Sequence, residues 1–409
     1  MRATSLLRTL LDLKQTIVRD FEFTDEGAIV DVTPTTRNAR CGGCGRQGAG
    51  YDERPRRWRH LDFAGMRIVL RYSIRRVDCD TCGVTTELVP WAAHGSPFTY
   101  DFEDTVALLA QKTDKTTVCE LMSIAWSTVG NIVERVVARV GPKDLLDGLT
   151  HIGIDEISYR RHHHYLTVVT DHVRQRVVWV APGRNADTVR EFFAALGEER
   201  SAKVELVTLD LSGSYISAVR EKAPQAKLVF DRFHVQRLAH DALDAVRRAQ
   251  VRELRGTEEG QAIKHSRWPL QKNPWNLTLR ESEKLVEVQR TNFPLYRGYM
   301  LKESLCDILD HRQANVARRR LDEWIGWAQR SRLEPFCKLA RTIRTYVDGI
   351  VEYVRTGFSN GRSEGVNSKV RTITKRSYGF ADPSALTAYI YLCCTGIRLV
   401  PVRHYPSAA

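Results

Sequence analysis

The stretch that most restricts the fold is His151–Arg160, HIGIDEISYR. Its apolar run Ile152–Ile154 reads as a buried strand that delivers an acidic pair, Asp155–Glu156, to its end. A carboxylate at the end of a core strand is costly unless solvent or a cation receives it. Residues 164–170 and 175–181 then read as two strands joined by a short polar link, which predicts a hairpin. Asn185 is placed to cap a helix running to Leu196, and the apolar strand 204–209 stops at Asp210. A helix over 215–222 ends at Pro224, and strand 227–230 leads into Asp231-Arg-Phe-His234.

Three strands followed by alternating helices and strands is the order of the RNase H-like fold, in which the first and fourth strands lie side by side. That order brings Asp155 toward Asp210. A third acid, Glu364, sits in SNGRSEGVNSKV. Mg²⁺ is a hard ion that prefers carboxylate and water oxygens, so Asp155, Asp210 and Glu364 are the expected ligands. Two ions (Mg²⁺ or Mn²⁺) roughly 3.5–4 Å apart would activate a water or 3′-hydroxyl and stabilise the departing oxygen. Such a site cuts and joins DNA. Imidazole suits Mg²⁺ less well, so the run His162–His164 reads as an exposed hairpin edge.

Cys41-Gly-Gly-Cys44 and Cys79-Asp-Thr-Cys82 form two CxxC knuckles, each followed by glycine. Four thiolates suit one structural Zn²⁺. Between them, residues 67–77 predict a β-excursion. Arg56, Arg57, Arg59, Arg75 and Arg76 lie near the knuckles among Trp58, His60 and Tyr72. A charge run is more often a solvated face, but beside zinc knuckles it points to DNA contact. From Thr99, a candidate N-cap, the spacing becomes helical. Residues 115–140 read as helix, break, helix, with Val118, Leu121 and Met122 on one apolar face and Val129, Ile132, Val133 and Val136 on the next. Ser127, Thr128, Asn131 and Arg135 are then placed to enter a major groove.

Lys and Arg number 62 against 49 Asp and Glu among 409 residues, a formal net charge of +13 that favours nucleic acid as partner. No run of about 18 apolar residues predicts a membrane span. The N-terminus reads as an amphipathic start, because Asp12 and Lys14 interrupt its apolar patch. Nine cysteines, four of them in knuckles, suit a reducing cytosol better than a disulfide framework. The segment after Val235 is helical by spacing, and Trp268, Trp275, Trp324 and Trp327 read as packing residues. Lys369, Arg371, Lys375 and Arg376 make the tail after Glu364 cationic.

The expected architecture is therefore multidomain α/β. It comprises an N-terminal helical start (1–37), a zinc ribbon (38–92), a helix-turn-helix (97–141) and an RNase H-like catalytic core beginning at 148–236. A large all-helical insertion (237–356) follows, then the rest of the core with the last acid (357–409).

The order of CxxC knuckles, VPWA, SIAWSTV, GIDE, VTLDLSGSY, DRFHVQ and SNGRSEGVNSKVRTITKRSYGF resembles the ISL-three group of bacterial insertion-sequence transposases. The resemblance runs from about Arg40 to Cys394, and DRFH followed much later by NGRSEGVNSKV is its specific part. It implies a DDE-type transposase that reads terminal inverted repeats through a zinc ribbon and helix-turn-helix, and performs metal-dependent cleavage and strand transfer. Carried over by position, the first acid is Asp155 and the last Glu364. The middle acid is Asp210 by the fourth-strand rule, with Asp231 the alternative and Asp231 and His234 supporting the site. The partners implied are double-stranded DNA, both ends and target, and a second copy of the chain, as a homodimer or higher assembly on DNA. The location implied is the bacterial cytoplasm, at the nucleoid. Two other functions fit parts of the pattern. One is a zinc-ribbon DNA-binding regulator without catalysis, a domesticated copy; the other is a structure-selective nuclease of the same fold.

Overall fold

A computed structural model describes residues 3–160, 164–358, 361–377, 379, 380 and 382–400, with the side chains of Arg160 and residues 361–364 outside the description. His162 and His163 therefore lie outside the described residues, while His164 is exposed. No helix among the described residues is long and apolar enough to cross a membrane. The chain divides into two compact units, residues 1–142 with 375–409, and residues 143–374.

The first unit is built on β4 (Ile68–Cys79), following β1 (Thr16–Thr24), β2 (Gly27–Pro34) and β3 (Ala49–Arg59) and preceding β5 (Gly83–Thr86). β3 pairs antiparallel along nearly the whole of β4, with Arg59 opposite Val69 and Ala49 opposite Asp78. The other edge of β4 is shared: β2 runs parallel to its first residues and β5 antiparallel to its last. Buried and half-buried residues alternate along β2, the period expected of a strand with one face in a core. That core holds Val30, Leu70, Trp58 and Trp91, the two indoles meeting edge to face at 5.5 Å. The expected helical start over 1–37 is thus corrected. Only Ala3–Leu10 is helical there, and residues 16–34 form a hairpin in the same sheet as the cysteine knuckles.

Three helices follow, Tyr100–Lys112, Lys115–Met122 and Trp126–Val140. Thr99 caps the first by accepting from the Phe102 amide, and Asp114 caps the second by accepting from the Thr117 amide. Val129, Ile132, Val133 and Val136 are fully buried, as their spacing predicts. Leu121 departs from its expected face and is 63% exposed. Helix Pro383–Cys394 packs against the first and third of these helices. The segment from Lys375 onward accordingly belongs with this unit rather than with the catalytic core, a correction to the 357–409 expectation.

The second unit carries a five-stranded sheet of β6 (His151–Arg160), β7 (His164–Asp171), β8 (Arg176–Pro182), β9 (Leu206–Leu209) and β10 (Lys227–Phe230), in the order β10-β9-β6-β7-β8. β6, β7 and β8 form an antiparallel meander, while β9 is parallel to β6 and β10 parallel to β9. Helices Ala186–Leu196 and Gly213–Lys222 supply the crossovers and pack on each other. Asn185 caps the first through the Thr188 amide.

Helix Arg232–Glu253 then opens a run of helices ending with Glu334–Thr356. The expected division after residue 236 falls inside that opening helix, so no boundary exists there. The returning helix closes against β10, and Gly349 permits it: a Cβ there would stand 2.4 Å from the Phe230 ring. Trp324 is buried and donates to the Leu301 carbonyl at 2.8 Å. Trp268 and Trp275, expected as packing residues, are instead 61% and 76% exposed.

Candidate active site

Strand register assembles the acids. The last paired residues of β6 and β9 are Gly153 and Thr208, and two residues beyond them stand Asp155 and Asp210. Phe230 pairs with Leu209, and the next residue on that side is Asp231. β9 and β10 therefore each run out into an aspartate, whereas Asp155 stands inside β6, just past its last pair with β9 and still paired with Val168 of β7. The expected placement of the acidic pair at a strand end is corrected, because β6 continues to Arg160. All three aspartates line one cavity of about 440 Å³, together with Glu156, His234, Asn367, Arg237 and Arg371.

Each aspartate is anchored by its own backbone turn. Asp155 Oδ1 accepts from the Glu156 amide at 2.7 Å, Asp210 Oδ1 from the Ser212 amide at 3.2 Å, and Asp231 Oδ1 from the Phe233 amide at 3.2 Å. Asp231 is also the N-cap of helix Arg232–Glu253, which carries His234 and Arg237 one turn apart. Asn367 Nδ2 donates to Asp155 Oδ2. Beneath the acids, His172 Nε2 and Thr208 Oγ1 lie 2.6 Å apart, buried.

Burial raises the Asp155 carboxyl above its ordinary range, and the charge of Asp210 adds to this, against the Glu156 amide, His234 and Asn367. Glu156 is raised in the same way, by burial and then by Asp210. Gathering like charges in a half-dry cavity is what a divalent cation relieves, and oxygen donors are the chemistry hard cations take. Of the three acids expected as ligands, the structure brings Asp155 and Asp210 together. Glu364 lies on helix Gly361–Arg376, and its side chain is outside the described residues. Arg237 and Phe233 were not expected at the site, and Glu156, expected there as half of the acidic pair, had been given no role; Arg237 was signalled only by its spacing of one helical turn from His234.

The cysteines form a different kind of site. Among the described residues, Cys41, Cys44, Cys79 and Cys82 are the one group of three or more His, Cys, Asp or Glu whose ligand atoms all lie within 4.8 Å of one another. The Cys44 and Cys79 sulfurs are 3.6 Å apart, and tetrahedral Zn–S bonds of about 2.3 Å require a separation of about 3.8 Å. The knuckle glycines Gly45 and Gly83 take φ +74° and +67°, the left-handed turn that wraps amides around sulfur. The Cys44 and Gly43 amides bring the Cys41 thiol down to about 7, while hydrogen bonding with Cys44 pushes Cys82 up to about 12. A cation among them resolves that opposition, and the four residues fit zinc.

The residues expected to touch DNA divide sharply. Arg56 donates to the Ser96 carbonyl, and Arg59 donates to the Ser123 carbonyl and covers the Phe102 ring. Arg75 forks onto buried Glu87, and Arg76 pairs with Asp52. Arg135 donates to buried Glu103 at 2.7 Å, and Arg376 donates to the Lys112 and Gln111 carbonyls. Each of these six has at least one guanidinium donor engaged by the protein itself. Arg57, Ser127, Asn131, Lys369, Arg371 and Lys375 are exposed, and Thr128 is half-buried.

Comparison with known proteins gives three matches in chain order. A zinc-finger model of the transposases IS204/IS1001/IS1096/IS1165 matches residues 37–82. A model of the helix-turn-helix domain of transposase family ISL3 matches residues 87–137, and a transposase model of that family matches residues 152–390. The transposase for insertion sequence element IS1557 of Mycobacterium tuberculosis is 41% identical, the alignment covering 99% of this chain and 98% of that one. The transposase for insertion sequence element IS1001 of Bordetella parapertussis is 28% identical over 85% of this chain and 87% of its own. With ribbon, helical reader and catalytic segment each matched in turn, and nearly the whole chain aligned, the protein belongs to transposase family ISL3.

Proposed function

We propose that this transposase cuts and rejoins DNA at the terminal inverted repeats of its own insertion sequence, in an RNase H-like core, with Asp155, Asp210 and Glu364 as ligands for two Mg²⁺ ions. The observation that carries the reading is that three adjacent parallel strands bring Asp155, from within β6, and Asp210 and Asp231, just past the ends of β9 and β10, around one cavity. The strand order β10-β9-β6-β7-β8, with the first strand central, supports the RNase H-like assignment. The helices between Arg232 and Thr356 are the insertion that precedes the last acid.

Asp155, Asp210 and Glu364 would hold divalent ions, whose chemistry when bound would be activation of the attacking water or 3′-hydroxyl and stabilisation of the departing oxygen. Asp155, held within β6, and Asp210, just past the end of β9, would supply oxygen ligands from fixed backbone positions, so little rearrangement is needed on binding. Asp231, anchored as a helix cap, orients the first turn that carries His234 into the cavity. Arg237 and Arg371 are placed to grip phosphates on either side of the cut. Zn²⁺ on the four cysteines holds the ribbon, and Ser127, Thr128 and Asn131 on helix Trp126–Val140 read base edges. Work on chromosomal DNA places the protein in the bacterial cytoplasm at the nucleoid, where two or more copies assemble across paired ends.

The test is a supercoiled plasmid carrying the element's ends, incubated with Mg²⁺ or Mn²⁺. The parent should nick and join at the ends, whereas Asp155→Ala and Glu364→Ala should bind them and leave them uncut. Variants that cut as well as the parent would sink the assignment. A regulator without catalysis has no use for three aspartates in one cavity.

A further inference from the structure

Asn367 lies on helix Gly361–Arg376 and lines the catalytic cavity while only 3% exposed. Its amide is half used. Nδ2 donates to Asp155 Oδ2, but Oδ1 is buried without a hydrogen-bond partner among the described residues. Buried polar atoms in native proteins are satisfied in the great majority of cases, so an orphan acceptor beside acids asks for a partner. An amide oxygen can only accept, and ionised Asp155 can only accept as well. Among the described residues no donor reaches it, and the cavity it lines is where a donor or a cation would be held.

Asp155 narrows the choice. Each of its oxygens carries one hydrogen bond, from the Glu156 amide and from Asn367, and each keeps lone-pair capacity for a further ligand. The same planar amide that grips Oδ2 thus holds its own oxygen next to whatever that carboxylate binds. Mg²⁺ gives up its waters reluctantly, so an ion held by carboxylates presents donors to acceptors around it.

We propose that Asn367 is a positioning residue of the metal centre: its amide nitrogen orients Asp155, and its amide oxygen accepts a hydrogen bond from a water of the hydrated divalent cation that Asp155 holds. This rests on the reading of Asp155 as a metal ligand. It explains why an amide, which both donates and accepts, occupies a position where a carboxylate would repel Asp155 and an aliphatic side chain would leave it unoriented.

The experiment is Mn²⁺ titration of the full-length, DNA-free protein by electron paramagnetic resonance, with solvent-proton relaxation read on the same samples. Asn367→Leu keeps the volume and removes both polar atoms. It should weaken Mn²⁺ binding roughly 10–100-fold, the usual effect of losing an outer partner of a metal ligand, and the remaining bound water should exchange faster. End-DNA binding without added Mg²⁺ or Mn²⁺, and zinc content, should stay at parental levels. Parental Mn²⁺ affinity, or unchanged water exchange, in a folded Asn367→Leu protein overturns the proposal. If that variant does not fold, Asn367→Ser keeps a donor and an acceptor on a shorter arm. It should bind Mn²⁺ measurably less tightly, and parental affinity there overturns the proposal equally. Asp155→Ala separates the two readings: if it also binds Mn²⁺ like the parent, the metal assignment itself has failed.

Discussion

In the ribbon, four sulfurs stand within 4.8 Å of one another, two buried and two exposed, whereas the aspartates within β6 and just past β9 and β10 share a cavity without closing to that spacing. The difference follows from what each donor set rides on. The cysteines sit on two tight knuckles whose turns wrap sulfur locally, so the shell completes itself and leaves no position for a substrate. The aspartates sit on separate strands whose spacing is set by backbone pairing, so their carboxylates face a gap that other ligands must fill. A closed site holds a fold, and an open one does chemistry.

The largest test of this contrast removes a donor from the closed site. Cys41→Ser or Cys79→Ser should abolish zinc retention, seen as the loss of one Zn²⁺ by native mass spectrometry, and end binding should fall with it. Structural zinc supplies on the order of 10 kcal/mol in small zinc domains, far more than one ribbon can spare. Full zinc content in both variants would break the comparison.

The open site should respond in the opposite way, losing chemistry and keeping the fold. Asp210→Ala should reduce cleavage by roughly a thousandfold or more while leaving end binding without added Mg²⁺ or Mn²⁺ intact. Asp231→Ala should cost less in rate and more in thermal stability, because Asp231 is 4% exposed and caps helix Arg232–Glu253. A reversed order, measured by cleavage rates and melting curves, would move the middle ligand to Asp231.

A smaller effect separates internal arginines from exposed readers. Arg135→Ala should destabilise by about 2 kcal/mol, since it strands fully buried Glu103, discounted because Arg135 itself is about one-third exposed. Asn131→Ala should leave the melting temperature alone and weaken specific end binding about tenfold. Equal affinity losses with unchanged melting for both would return Arg135 to the groove.

The mildest effect is with pH. Asp155 and Glu156 sit above their ordinary carboxylate values in the metal-free protein, so the native state binds more protons than the unfolded chain just above pH 4. Metal-free stability should therefore decline as pH rises through that window, while Mn²⁺ affinity rises with it, because the cation displaces those protons. Titration calorimetry at several pH values checks the second trend. A flat profile would mean that the acids bind no metal.

Much of this was legible in the sequence because it is written locally. CxxC knuckles, capping residues such as Thr99 and Asn185, and acids at the ends of apolar runs lie within a few residues of their structural consequence. What could not be read is pairing across distance. Nothing near Arg135 says that Glu103 neutralises it, and nothing near residues 16–34 says that β2 joins β4 rather than starting a helix. Likewise, helix Pro383–Cys394 sits with the helices around Lys112 because Gln111 donates to the Leu392 carbonyl, a contact with no local signature. Composition told the sign of the partner, but only partner-by-partner geometry told which arginines are still at liberty to meet it.

Gly349 has a reach beyond its own contact. The returning helix rests its bare backbone on Phe230, the residue directly before Asp231, and a few residues past its end begins the segment bearing Glu364. A single missing methyl group thus sets where that segment starts. Alanine at 349 should push the returning helix off Phe230 and shift the stretch that follows it, so a substitution remote from every acid should still be felt there.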